Sequence, residues 1–301
     1  MPIRYYSTNR YLNNVAGIVP FTASVSFKEA LLMGQAPDEG LFVPDSIPHL
    51  SISDILKLRD KPYWQIAMLV AQAFLSDEFS AEILEAVVKG AYNFPVPLEA
   101  VYPRAFIMRL DQGPTASFKD FAARMMARLM SHCRAKGERI NILVATSGDT
   151  GSAVGEAFKG VAGIDVTILY PAAEVSLMQK KQLDTIGGNV QALCVEGKFD
   201  DCQNLVKVAF SDPELAKFNL SSANSINIGR ILQSRADKLV QKPVAFRVWV
   251  VSNVAGFRRK ISGVEFPQDR CATGQVKHAI RDVYHRSCAD GRLSHDGVSS
   301  G

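Results

Sequence analysis

Between residues 105 and 195 the sequence alternates short apolar or β-branched runs with longer stretches of helical periodicity, and this alternation most narrows the folds open to the chain. The runs fall at 107–110, 140–145, 166–170 and 190–195. Helical stretches fall near 119–136, 150–160, 176–186 and 200–210. Strand and helix in strict succession predict βαβ units around a parallel sheet. In such sheets ligands sit in the loops that follow the carboxyl ends of the strands. Residues 1–95 read differently, as a small and mostly helical unit. Ser26 can cap a helix that carries Phe27, Ala30 and Leu31 and stops at Gly34. The string E-G-L-F-V-P (39–44) is a turn and a short extended piece closed by proline, and 52–58, 64–75 and 81–91 carry helical periodicity.

One lysine sits where that architecture would place chemistry. The segment D-Q-G-P-T-A-S-F-K-D-F (111–121) sets Lys119 between a turn and an apolar run, in which Phe118, Ala122, Met125, Met126, Leu129 and Cys133 recur at helical spacing. A helix therefore starts near Lys119, with Thr115 and Ser117 supplying hydroxyls just before it. A lone lysine at a helix start is ordinarily a solvated surface charge. Here the positive end of the helix dipole opposes the ammonium form, and a neutral amine can form a Schiff base with a carbonyl.

Two further loops are polar in a way that suits anions. A-T-S-G-D-T-G (145–151) follows a strand and opens a helix, so backbone N–H groups and the hydroxyls of Thr146, Ser147 and Thr150 can receive an anion beside Gly148 and Asp149. It is neither a Walker A loop nor G-x-G-x-x-G, and a well-capped βα turn accounts for much of it. S-A-N-S-I-N-I-G-R (222–230) brings Asn224 and Arg230, which can bind phosphate or carboxylate; loops rich in Asn and Ser are also common turns.

Taken together and in this order, the three strings resemble the threonine synthases. The family's cofactor-lysine motif reads H-G-P-T-x-x-F-K-D-F, and Gln112 stands here at its histidine. V-S-F-K-E-A through E-G-L-F-V-P is similar to the family's N-terminal domain, and Pro171 and the Thr185–Asn189 turn agree. The resemblance covers residues 1–230. It implies an α/β fold: an N-terminal domain over 1–95, then over 96–230 the first half of a parallel core of the fold-type II pyridoxal-phosphate enzymes. It implies pyridoxal 5'-phosphate on Lys119, with Thr146, Ser147, Gly148, Asp149 and Thr150 lining cofactor and substrate. Thr115, Ser117, Asn224 and Arg230 are the implied contacts of the substrate, O-phospho-L-homoserine, which the family converts with water to L-threonine and phosphate. A serine/threonine dehydratase of the same fold type and a non-catalytic remnant are the alternatives.

After Arg230 the resemblance stops. The family continues with a helix, a strand and a V-P-[ST]-G-N-F-G loop for the cofactor phosphate. This chain instead becomes basic, with 12 Lys+Arg against 6 Asp+Glu over 231–301, whereas residues 1–230 hold 22 against 24. Periodicity is poor beyond Val251. F-R-R-K-I-S-G (257–263) can be encoded so that a neighbouring frame reads V-P-T-x-N-F-G, with Glu, Lys or Gln at x. The expectation is a frameshift near residue 231, a tail translated out of frame over 231–301, and a chain that does not turn over. An intact open frame with matching transcripts would end that reading.

Bulk properties add little against this. At 301 residues, 47% hydrophobic and 21% charged, the chain can build one large or two modest cores. No apolar run reaches membrane-span length, and Met1 to Asn14 carry no signal-peptide core. Cys133, Cys194, Cys202, Cys271 and Cys288 have no C-x-x-C spacing and read as free thiols, not metal ligands. A cytoplasmic protein with a small-molecule substrate, and neither nucleic acid nor membrane as partner, is expected. The basic tail lacks interleaved aromatics and any recognised nucleic-acid module.

Overall fold

The computed structural model describes residues 2–12, 17–102, 105–135, 137–224, 226–230 and 247–251. The chain begins with a two-stranded antiparallel ribbon, β1 (Tyr5–Ser7) against β2 (Phe42–Pro44), in which Ser7 faces Phe42. Strands of three residues carry too little alternation to be read from sequence, so β1 is an addition to the expected helical unit. Between the two lies α1 (Phe27–Met33). Ser26 and Glu29 form a reciprocal capping box at its start, and Gly34 ends it at φ 73°. The helices α2 (Ile52–Lys57), α3 (Tyr63–Leu75) and α4 (Ala81–Ala91) follow; Ser51 caps α2 and Ser80 caps α4.

The 107–110 run joins a different sheet from the expected one. β3 (Leu98–Tyr102) and β4 (Ala105–Arg109) form an antiparallel hairpin, and β9 (Arg247–Val251) pairs parallel to β4 from Ala105↔Arg247 to Arg109↔Val251. Only two residues separate β3 from β4, which leaves no room for a crossover and forces the hairpin. β9 falls in the segment expected to be out of frame. Apart from β9, that expectation lies outside the described residues.

The main sheet is parallel, in the order β7-β6-β5-β8, with β5 (Ile140–Ala145), β6 (Ile164–Pro171), β7 (Val190–Val195) and β8 (Leu220–Ser221). Alternate residues of its strands face opposite layers. Ile140, Ile142 and Val144 point into the main core with α5 (Lys119–Cys133) and α6 (Asp149–Phe158), while Leu143 and Ala145 pack toward Cys202 and Val206 of α8 (Phe199–Ser211). α7 (Leu177–Asp184) lies between β6 and β7 in the chain. One continuous apolar core runs from Tyr5 through Leu31 and Met126 to Ile228. The N-terminal unit thus shares its interior with the α/β layer. This arrangement sets the starts of α5 and α6, the last turn of α1 and the 222–230 loop around the carboxyl end of β5.

Candidate active site

Lys119 is the first residue of α5, and the turn before it closes on its neighbour. Thr115 donates its N–H to Asp120 Oδ2 at 2.8 Å and its hydroxyl to Asp120 Oδ1 at 2.6 Å. Gly113 presses on the same carboxylate, since a Cβ there would lie 2.4 Å from Oδ2. Asp120 is buried, and burial raises its carboxyl above the usual range. Ser117 is buried too, and its Oγ accepts the Lys119 N–H at 3.4 Å. Thr115 and Ser117 therefore build the turn that launches Lys119.

The lysine side chain, 28% exposed, reaches the start of α6, where Nζ lies 3.9 Å from Asp149 Oδ2. Lys119 Nζ and Arg230 Cζ stand 5.7 and 5.5 Å from the centroid of the Phe118 ring. One aromatic ring therefore joins the lysine to the last residue of the third motif. Burial lowers the Arg230 guanidinium below its ordinary value.

Within the 145–151 loop the polar groups divide. Thr146 lies buried beneath it, and its Oγ1 accepts the N–H groups of Gly148 at 3.0 Å and Gly151 at 2.9 Å. Thr146 thus shapes the loop from below. Ser147 is exposed, and Asp149 and Thr150 are half-buried in the first turn of α6. Gly148 holds φ 127°, which L side chains rarely adopt, and a Cβ on it would meet the Gln179 amide at 2.4 Å. Gln179 donates to Asp149 Oδ1 at 2.7 Å. It lies on α7, thirty residues from Asp149, and nothing in its local sequence marks it for this site.

The third motif is mostly framework. Asn227 is buried, donating to Leu31 O at 2.9 Å and Ser222 O at 3.2 Å while its Oδ1 accepts the Gly229 N–H at 2.9 Å. Ser221 donates to Leu32 O at 2.6 Å. The carbonyls that α1 leaves open at its end are thus satisfied by this loop. Asn224 is half-buried and donates its N–H to Ser222 Oγ at 3.3 Å.

The family described as "Threonine synthase N terminus" matches residues 19–92, and "Pyridoxal-phosphate dependent enzyme" matches residues 95–240. Over 209 residues the chain is 42% identical to threonine synthase of Escherichia coli, a match covering 69% of this chain and 49% of the relative. It is 44% identical over 210 residues to that of Haemophilus influenzae, covering 69% and 48%. Over residues 19–240, the chain belongs to the threonine synthase family.

The crystal structure of threonine synthase from E. coli superposes with a TM-score of 0.69 at 35% identity, covering 88% of this chain and 55% of that one. The pyridoxal-phosphate-bound threonine synthase from Brucella melitensis gives 0.70 at 29% identity, covering 99% and 75%. The chain spans about half the length of the curated threonine synthases it matches. Among the described residues no helix is long and apolar enough to cross a membrane. Three described cysteines are free, and burial pushes the Cys133 thiol up to about 12.

Proposed function

We propose that this chain carries the lysine half of a threonine synthase site, with Lys119 as covalent anchor of pyridoxal 5'-phosphate and O-phospho-L-homoserine as substrate. The observation that carries the reading is the Lys119 amine, part-exposed and 3.9 Å from Asp149 at the start of α6. The donor set fits the group: a primary amine for its aldehyde, an aromatic ring beside that amine, and a helix start for an anion. When bound, the cofactor supplies an electron sink for charge developing on the substrate.

The chain's own residues then have separate tasks. Lys119 Nζ would hold the cofactor and would carry protons between the substrate Cα, Cβ and Cγ. Asp149 orients that amine. Arg230, at the Phe118 ring, is placed to pair with a substrate phosphate or carboxylate. Ser147, Gly148 and Thr150 offer loop groups to substrate and cofactor, and Asn224 lies on the loop that ends at Arg230. Thr115, Ser117 and Thr146 act through the loops they shape. A cytoplasmic setting accords with the free thiols.

Relatives of this family are about twice as long, so the 301 residues alone are expected to take up pyridoxal phosphate weakly and to release no phosphate from O-phosphohomoserine. Loose placement of reacting bonds forfeits much of a catalysed rate. The purified chain should develop a visible absorption band with pyridoxal phosphate, and Lys119→Ala should abolish it. A band that survives Lys119→Ala would overturn the assignment. Robust phosphate release from the unmodified chain would overturn the expected inactivity.

A further inference from the structure

Gln179 is a side chain at the site that none of the three motifs contains. Its two ends do different things. Oε1 accepts the Ser176 N–H at 3.1 Å and the Ser176 hydroxyl at 3.0 Å, completing the capping box of α7. Nε2 crosses to α6 and donates to Asp149 Oδ1 at 2.7 Å. The other carboxylate oxygen, Oδ2, is the atom that faces Lys119 Nζ at 3.9 Å. Gly148 makes the crossing possible, because any Cβ there would occupy the place of the Gln179 amide.

We propose that Gln179 is a positioning residue for Lys119, its amide holding the Asp149 carboxylate toward the lysine amine. The proposal rests on the reading of Lys119 as the cofactor lysine. A carboxylate with one oxygen tethered has its second oxygen aimed; untethered, it turns toward water. A helix cap alone would place no demand on Nε2, which is why the two ends can be tested apart. Ser176→Ala removes the cap hydroxyl and leaves the backbone N–H of residue 176 on Oε1 and the contact with Asp149. Gln179→Leu removes both. Gln179→Glu keeps an oxygen for the cap and sets a second carboxylate against Asp149.

The readout is the pH midpoint for labelling of Lys119 by acetic anhydride, followed by mass spectrometry on the cofactor-free full chain at high dilution. Lysines far from the site serve as internal references. Charged groups beside this neighbourhood among the described residues include Asp149 on α6 and Arg230 at the end of the 222–230 loop. Gln179→Leu should lower the midpoint by about half a pH unit or more, in the same direction as Asp149→Asn, since the ammonium loses its aimed partner. Gln179→Glu should raise it, since it adds negative charge beside Asp149. Ser176→Ala should leave it in place. An unmoved midpoint in either Gln179 variant, or an equal shift in Ser176→Ala, would overturn the proposal. Loss of the Lys119 cofactor reading would show instead as an absorption band surviving Lys119→Ala, with the Gln179 shifts intact.

Discussion

Two loops of this chain look alike as strings and do different work. Both 145–151 and 222–230 are short, rich in hydroxyls or amides, and bordered by glycine. In the first, Thr146 goes under the loop and leaves Ser147, Asp149 and Thr150 at or near the surface beside Lys119. In the second, Ser222 and Asn227 are buried, and Asn227, together with Ser221 just before the loop, closes the end of α1. Arg230, its last residue, reaches the lysine's neighbourhood. Polarity in a loop therefore says that hydrogen bonds are made there. Burial decides whether the fold or a ligand receives them.

The strongest way to break this contrast is Asn227→Ala. The substitution leaves Leu31 O and Ser222 O short of a donor and Gly229 N–H short of an acceptor in a buried place. Each buried group left unpaired is costly, and the loss should be about 2–4 kcal/mol of stability. Urea denaturation followed by circular dichroism measures it. A change below about 0.5 kcal/mol would place Asn227 with surface residues and dissolve the contrast.

A smaller loss is expected from Gly229→Ala. Added to an ordinary helical glycine, a methyl stabilises by about 0.4–1 kcal/mol through the unfolded chain. Here the Cβ would come within 2.6 Å of Met126 Cγ and 3.0 Å of Leu31 Cδ1. Overpacking of that kind costs about 1–3 kcal/mol, so crowding wins and a net destabilisation of roughly 1 kcal/mol should appear as a lower denaturation midpoint. A gain in stability would show that α1 and α5 yield more easily than their packing indicates.

Much of this fold was legible because its elements are long relative to their periods. The expected helix start at Lys119, the Ser26 cap and Gly34 stop of α1, and the strands at 140–145 and 190–195 stand where residue patterns put them. β1 and the β3–β4 hairpin were not legible, since a three-residue strand shows no period and pairing partners are set by tertiary packing. At the site, Lys119 could be named because its motif is contiguous. Its neighbours could be named as loop members but not sorted into those that touch a ligand and those that hold the loop. Thr115 and Thr146 read as contacts and are seen to satisfy Asp120 and the α6 start. Gln179 had no sequence signal except the capping box it also completes, and only the fold brings it to Asp149.

The finest division falls between adjacent residues. Lys119 turns outward to the site, whereas Asp120 turns inward to hold the Thr115 turn, so by behaviour Asp120 belongs with Asn227. Burial raises its carboxyl above the unfolded value near 3.8, with the Thr115 hydrogen bonds opposing that rise. The sign follows from linkage: a group with a raised folded pKa contributes stability that is full below its unfolded value and fades as pH climbs through the folded one. Asp120 should therefore make the chain lose stability as pH rises from about 4 toward neutrality. Asp120→Asn can keep its oxygen on the Thr115 N–H and offer its amide to Thr115 Oγ1, so the turn survives without a titrating group. Its stability at neutral pH should change by less than about 1 kcal/mol, while the difference in stability between Asp120→Asn and the parent should grow in favour of the variant as pH rises from about 4. A difference that shrinks over that range would mean that the hydrogen bonds from Thr115 outweigh burial and hold Asp120 ionised. The turn before Lys119 would then be anchored by a charge, unlike the neutral amide that anchors the 222–230 loop.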